Sequence, residues 1–144
     1  MSPITLKLTR KRDRAPKALP SPEAINSSEH AEQSLLFQWA DLAGNQRHEL
    51  RLLFAIPNGG HRHIATAKKL KREGVKAGVP DVCLPVARGP YHALYIEMKY
   101  DKGKPSSAQN EWHEKLRSER NAVRVCWTWE QARDAILQYL DHAA

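Results

Sequence analysis

The stretch DVCLPVARGPYHALYIEMK, residues 81–99, decides the fold. Two runs rich in apolar, β-branched and aromatic residues flank the turn residues RGP, which is the pattern of a β-hairpin. A turn centred on Gly89 puts Asp81 opposite Glu97 in the antiparallel pair. The same register pairs Cys83 with Tyr95, and a slip of one residue would move every side chain to the other face.

Two charged residues, Glu97 and Lys99, interrupt the second strand of this hairpin. Alternate residues of a strand point to the same face, so the carboxylate and the ammonium project together. Asp81 joins them in the predicted register, and two adjacent carboxylates repel each other unless a cation compensates. A Mg²⁺ ion, which is typically bound by one or two carboxylates, would do so. A cross-strand salt bridge on a solvated sheet face is the alternative that these residues leave open.

An amphipathic helix is predicted over NSSEHAEQSLLFQWADLAG, residues 26–44, with Ser27 or Ser28 as its cap and Gly44 as its end. Glu32 shares a face with the apolar residues of this helix, so we interpret it as a further acid of the same site. Glu29 lies in the first turn, where the helix dipole alone explains an acid. The sequence leaves the choice between the two open.

The remaining pattern predicts helices mixed with a mostly antiparallel sheet, in the order α, β, α, β, β, α, β, α. Trp127 and Trp129 are expected to share a strand face and to pack in the core. The further elements are a strand at 50–58, a basic helix at 63–73, a helix at 107–120, a strand at 122–129 and a helix at 128–142.

Length and composition indicate one folded domain. The chain has 144 residues, 41% of them hydrophobic, and no apolar run long enough to cross a bilayer. Residues 1–27 are basic and rich in proline, so we expect a flexible arm there, followed by a domain at 28–144. Cys83 and Cys126 lie in apolar runs, which favours free cysteines in a cytoplasmic protein.

The net charge of +7 is concentrated in two segments, residues 1–17 and 61–76, each with six basic residues and one acidic residue. This distribution is typical of a surface that binds a polyanion such as nucleic acid. Zinc binding by the two histidines after NGG would need further ligands nearby. The predicted DNA contacts are His61, Arg62, His63, Lys68, Lys69, Lys71, Arg72, Lys76, Lys102 and Lys104.

At this point the motifs resemble a known family. GVPDV (78–82), followed by IEMK (96–99), is similar to the signature of the PD-(D/E)XK nuclease superfamily. PNGG (57–60) before the basic helix and SSAQNEWHEKLR (106–117) after the hairpin resemble the VRR-NUC branch of that superfamily. The resemblance extends over roughly residues 29–140, which is the whole predicted fold.

The resemblance implies an α/β protein with a restriction-endonuclease-like αβββαβ core, a mixed central sheet flanked by helices, and phosphodiester hydrolysis that depends on Mg²⁺ or Mn²⁺. It implies that Lys99 is the catalytic lysine and that Gln109 lies close to it. The implied metal ligands are Asp81, Glu97, the backbone carbonyl of Met98, and Glu32.

Stand-alone members of this family resemble Holliday-junction resolvases, which act as two-fold dimers. By that resemblance we expect an endonuclease that cuts branched double-stranded DNA, in particular four-way junctions, as a homodimer in the cytoplasm of a bacterium or a phage-infected cell. Two alternatives stay open. One is a flap or end-processing nuclease, and the other is a non-catalytic basic DNA-binding module.

Overall fold

A four-stranded mixed sheet forms the centre of the computed structural model, which describes residues 28–57 and 64–143. The strands lie in the order β1-β2-β3-β4; the first two pairs are antiparallel, and β3 runs parallel to β4. This confirms the predicted α/β class with a mixed central sheet flanked by helices. The strands are β1 (Phe54–Ala55), β2 (Val82–Leu84), β3 (Leu94–Met98) and β4 (Ala122–Cys126).

Local capping sets where the helices begin. The side chains of Ser28, Ser106 and Thr128 each accept a backbone N–H in the first turn of the following helix. Within the described ranges no helix is long and apolar enough to span a membrane. The helices are α1 (Glu29–Ala43), a 3₁₀ helix (His48–Leu52), α2 (Ile64–Arg72), α3 (Ser107–Ser118) and α4 (Trp129–Leu140).

The hydrophobic core lies on one face of the sheet, between the strands and the pair α1 and α4. Leu94, Ile96 and Met98 of β3 point into it and are almost completely buried. The opposite face of β3 therefore carries Tyr95 and Glu97, and α3 covers it at Glu97. The core thus lies on one face of the sheet, and the predicted catalytic residue Glu97 lies on the other.

The hairpin has the predicted register. Cys83 pairs with Tyr95, and Val82 pairs with Ile96. Continuing this register by one residue brings Asp81 opposite Glu97. The sequence therefore predicted correctly the cross-strand relation on which the site depends.

The predicted strand at 50–58 is largely wrong. The 3₁₀ helix occupies most of its first half, and only Phe54 and Ala55 form strand β1. The buried residues Leu50 and Leu53 are three positions apart, which matches the three residues per turn of a 3₁₀ helix. The apolar run thus buries a helical face and not a strand face.

The shared strand face predicted for the two tryptophans is also wrong. Strand β4 ends at Cys126, and Thr128 caps α4, so Trp129 is the first residue of a helix. The side chain of Trp127 instead donates a 2.8 Å hydrogen bond to the carbonyl of Gly103 in the loop after β3. This bond fixes the loop that carries Lys102 and Lys104.

Candidate active site

The open end of the β2–β3 hairpin brings Asp81, Glu97 and Lys99 together. Asp81 directly precedes β2, and Glu97 lies near the end of β3. The Lys99 ammonium is 3.4 Å from Oε1 of Glu97, and the lysine side chain is only 12% exposed. A charge cluster therefore lies at the edge of the interior, which is where a reactive group can be shielded from water but still reached.

Glu97 is the most constrained member of this cluster. Its side chain is fully buried, and α3 covers it with two polar side chains. Gln109 Nε2 donates a 2.7 Å hydrogen bond to Oε1, and His113 Nε2 lies 3.3 Å from Oε2. With Lys99 also at Oε1, both carboxyl oxygens have partners, so this side chain has a fixed orientation.

Burial, and next the nearby carboxylate of Asp81, raise the pKa of Glu97 from its ordinary value of 4.5 to about 8, while Lys99 opposes the shift. Burial also lowers the pKa of His113, with Arg117 and Lys99 acting in the same direction. At pH 7 without a cation, Glu97 is thus protonated and His113 is neutral. Their contact is then a hydrogen bond between neutral groups and not an ion pair.

Asp81 reaches across the hairpin to the backbone of β3. Its Oδ2 accepts a 2.7 Å hydrogen bond from the N–H of Met98. In a strand, the N–H and the C=O of one residue point to the same side, so the Met98 carbonyl also faces β2. The three oxygen donors predicted from the family resemblance, Asp81, Glu97 and the Met98 carbonyl, are thus close neighbours.

The two acids of the first helix have different surroundings. Glu29 is half-buried; desolvation raises its pKa, while Lys99 lowers it and Asp81 raises it again, so its carboxylate lies within the field of the cluster. Glu32 instead accepts a 2.7 Å hydrogen bond from the N–H of Trp129, at the start of α4. The carboxylate of Glu29 is thus within the field of Asp81 and Lys99, and that of Glu32 is bonded at the start of α4. The apolar face that Glu32 shares packs against α4, which explains this bond. The choice of Glu32 as the acid of the site stays a prediction.

Gln109 has two functions at the beginning of α3. Its Oε1 accepts the N–H of Ser106, and Ser106 Oγ accepts the N–H of Gln109, which together form a capping box. The amide nitrogen remains available for Glu97. His113 follows one turn later on the same face of α3, and the sequence analysis missed it. The spacing of four residues from Gln109 was the signal that could have identified it.

The structure does not test the predicted DNA contacts, but it shows how exposed most of them are. No residue of α2 is buried, so its basic residues Lys68, Lys69, Lys71 and Arg72 are exposed. Lys76, Lys102 and Lys104 are exposed as well. His61, Arg62, His63 and the basic arm at 1–27 lie outside the described residues.

The donor set of the site suits a hard divalent cation. Its candidate ligands are carboxylate and carbonyl oxygens, which Mg²⁺ and Mn²⁺ prefer. The raised pKa of Glu97 reflects burial together with uncompensated negative charge, which a cation would offset. Among residues 28–57 and 64–143 no group of three or more His, Cys, Asp or Glu side chains is arranged to hold a metal ion. Two carboxylates and a backbone carbonyl leave the remaining positions to water and phosphate oxygens.

Comparison with known proteins gives a consistent result. The family model of the VRR-NUC domain matches residues 22–128. A solved structure described as a VRR_NUC domain protein is 30% identical, with a TM-score of 0.69, and the match covers 81% of this chain and 90% of the other. No curated protein matches the chain. The chain belongs to the VRR-NUC family, and its function is of the nuclease type.

Proposed function

We propose that this protein is a Mg²⁺- or Mn²⁺-dependent endonuclease that hydrolyses phosphodiester bonds in branched double-stranded DNA, and that it resolves four-way junctions as a homodimer. The observation that carries the proposal is the convergence of Asp81, Glu97 and Lys99 at one end of the hairpin. A dimer with two-fold symmetry would present two such sites to the two related strands of a junction.

Asp81, Glu97 and the Met98 carbonyl would hold the cation, with Glu29 as the acid from the first helix. When bound, the cation supplies positive charge that polarises a phosphoryl oxygen and lowers the pKa of water. We assign the helix acid to Glu29 and not to Glu32, because Glu32 is hydrogen-bonded at the start of α4, whereas Lys99 and Asp81 both influence Glu29.

Lys99 would act directly on the reacting atoms. Its ammonium can donate to a nonbridging phosphate oxygen or orient the attacking water, and the cluster keeps it near the scissile bond. Gln109 and His113 would act through Glu97, because each of them contacts one of its two carboxyl oxygens. They are positioning residues in this proposal.

A labelled four-way junction, incubated with Mg²⁺ or Mn²⁺, tests the proposal. Wild type should give paired, symmetric nicks, and Lys99→Ala and Asp81→Asn should lose cleavage by at least about 100-fold while they still bind the junction. Lys115→Ala and Asp134→Asn are matched controls, since both residues are exposed and lie outside the cluster. Both control variants should cut like wild type.

The other results each exclude part of the proposal. Binding without cleavage in either metal would show a DNA-binding module. Cleavage of 5′ flaps but not of junctions would keep the chemistry and reject the substrate. Symmetric nicks by a protein that sediments as a monomer on the junction would reject the dimer.

A further inference from the structure

The outer edge of β4 carries an arrangement that the active site does not use. Strand β4 lies at the end of the sheet, with β3 as its neighbour. Ala122 and Cys126 make their backbone hydrogen bonds to the β3 side, at Ala93 and Lys99. The carbonyl of Val123, on the alternate residue, therefore points away from β3 toward the open edge.

Two arginines converge on this one carbonyl. Arg124 Nη1 lies 3.2 Å from the Val123 oxygen, and Arg117 Nη2 lies 3.4 Å from it. The two nitrogens are consequently separated by no more than the sum of those distances. Both residues are exposed, one at the end of α3 and the other on β4. The fold thus holds two positive charges side by side on the surface.

The described residues place no acid beside this pair. Three other arginines pair with an acid: Arg47 with Asp141, Arg88 with Glu49 and Arg133 with Asp134. In the part of the chain that the structure describes, no carboxylate lies within ion-pair distance of Arg117 or Arg124. Arg120 adds a third exposed guanidinium in the turn between them, at a residue with a φ of 59°.

One guanidinium is enough to cover one exposed carbonyl at a sheet edge. The second brings like-charge repulsion and no new acceptor within the protein, so the pair is better explained by an anion from outside. Planar guanidinium groups bind phosphate oxygens in a bidentate way, and two of them can hold one phosphate from two sides. We propose that Arg117 and Arg124 form a binding site for a backbone phosphate of DNA.

The arginine pair begins one turn beyond His113 on α3, the helix that covers Glu97. Arg117 follows Gln109 by eight residues on α3, which corresponds to about 12 Å along the helix axis. A DNA strand that follows α3 rises about 3.4 Å per nucleotide, so the phosphate bound here would lie within roughly four nucleotides of the scissile one. This inference rests on the proposed function, and it adds a second contact that positions the duplex arm next to the cut.

The salt dependence of binding tests this site separately from cleavage. Binding of a duplex-armed junction is measured at several salt concentrations for wild type, for the double variant Arg117→Ala/Arg124→Ala and for Lys115→Ala. The slope of log K against log salt should fall by about 1 for the double variant, because the two arginines share one phosphate and each lost phosphate contact removes about 0.9. Lys115, which is bound to Glu111 on the same helix, should leave the slope unchanged.

Two further experiments locate the phosphate. Single methylphosphonates placed along the strand should weaken wild-type binding at one position within about four phosphates of the cut, and should have no such effect on the double variant at that position. Arg117→Lys/Arg124→Lys keeps the charge but loses the planar guanidinium groups, so its affinity for the junction should lie between those of wild type and the double alanine variant. Thermal unfolding checks that all variants fold.

An unchanged slope in the folded double variant, or an equal loss in Lys115→Ala, would overturn the inference. Inorganic phosphate that stabilises wild type but not the double variant, together with an unchanged DNA slope, would reassign the site to a free anion and also overturn it. Wild type that binds DNA without cutting would refute the proposed function alone, because the salt dependence of binding would still test the two arginines. Wild type that binds no DNA would refute both.

Discussion

Replacing Glu97 by glutamine should stabilise the metal-free protein at alkaline pH, although the residue is fully buried. Glutamine is a neutral isostere of the protonated carboxyl group, and it can keep the hydrogen bond from Gln109. The pKa of Glu97 is about 8 in the folded state against an ordinary value of 4.5. Between these values the folded state binds more protons than the unfolded state, so the free energy of unfolding of wild type decreases as the pH rises.

The magnitude follows from the size of the shift. Each pKa unit corresponds to 1.36 kcal/mol, so the full difference would give about 5 kcal/mol between pH 4 and pH 9. Because the effective dielectric response around a buried charge lowers the cost of its ionisation, about half of this value is the better estimate for the variant. Between pH 4 and pH 9 we therefore expect the free energy of unfolding to decrease by about 2–3 kcal/mol less for Glu97→Gln than for wild type.

Urea unfolding in EDTA, at pH 5, 6, 7, 8 and 9, measures this difference through the midpoint and the slope. Glu111→Gln serves as the control, since Glu111 is an exposed acid on the same helix whose pKa Lys115 holds low. Added Mg²⁺ should restore wild-type stability at pH 8 and should not affect Glu97→Gln to the same extent. Parallel pH profiles for wild type and Glu97→Gln would refute the reasoning.

Three further predictions follow from particular contacts. Glu29→Gln should reduce cleavage at least about 10-fold with little change in stability. Glu32→Gln should keep cleavage but lower the free energy of unfolding by about 1 kcal/mol, because it weakens the hydrogen bond to the N–H of Trp129. The opposite outcome for the two variants would favour Glu32 as the acid of the site. His113→Ala should weaken Mg²⁺ binding about 10-fold by calorimetry, because Glu97 loses a partner, and equal Mg²⁺ affinity would show that His113 only fills space. Gly78→Ala should lower the free energy of unfolding by at least about 2 kcal/mol, measured by thermal unfolding. The added Cβ would lie 2.8 Å from the Ala108 carbonyl and from Trp112, and the residue has a φ of 89°. An unchanged melting midpoint would show that this loop can move away.

The hairpin was predictable because its information is local. Turn residues fixed the register, and the alternation of faces in a strand then determined that Asp81, Glu97 and Lys99 converge. The surroundings of the two acids of α1, Glu29 and Glu32, were not predictable in this way. They depend on which neighbour each face of the helix meets, and α4, which comes last in the chain, supplies that neighbour for Glu32.

The errors in the strands have a similar origin. Apolar residues in the segment 50–58 are compatible with a strand or with a short helix, and only the burial of Leu50 and Leu53 on one side distinguishes them. His113 was missed because its one signal, the spacing of four residues from Gln109, does not reveal which group the two side chains contact. Its meaning depends on Glu97, sixteen residues away, which lies beneath it in the fold.

The capping box of α3 has a consequence for the local stability of the site. The amide of Gln109 joins Ser106, at the helix end, to Glu97, in the sheet. Helix ends open with free energies far below that of global unfolding, and such opening exposes their amides to hydrogen exchange. Each time the first turn of α3 opens, Glu97 loses its strongest donor. The exchange rate of these few amides is therefore a measure of how often the candidate active site is disassembled within an otherwise folded protein.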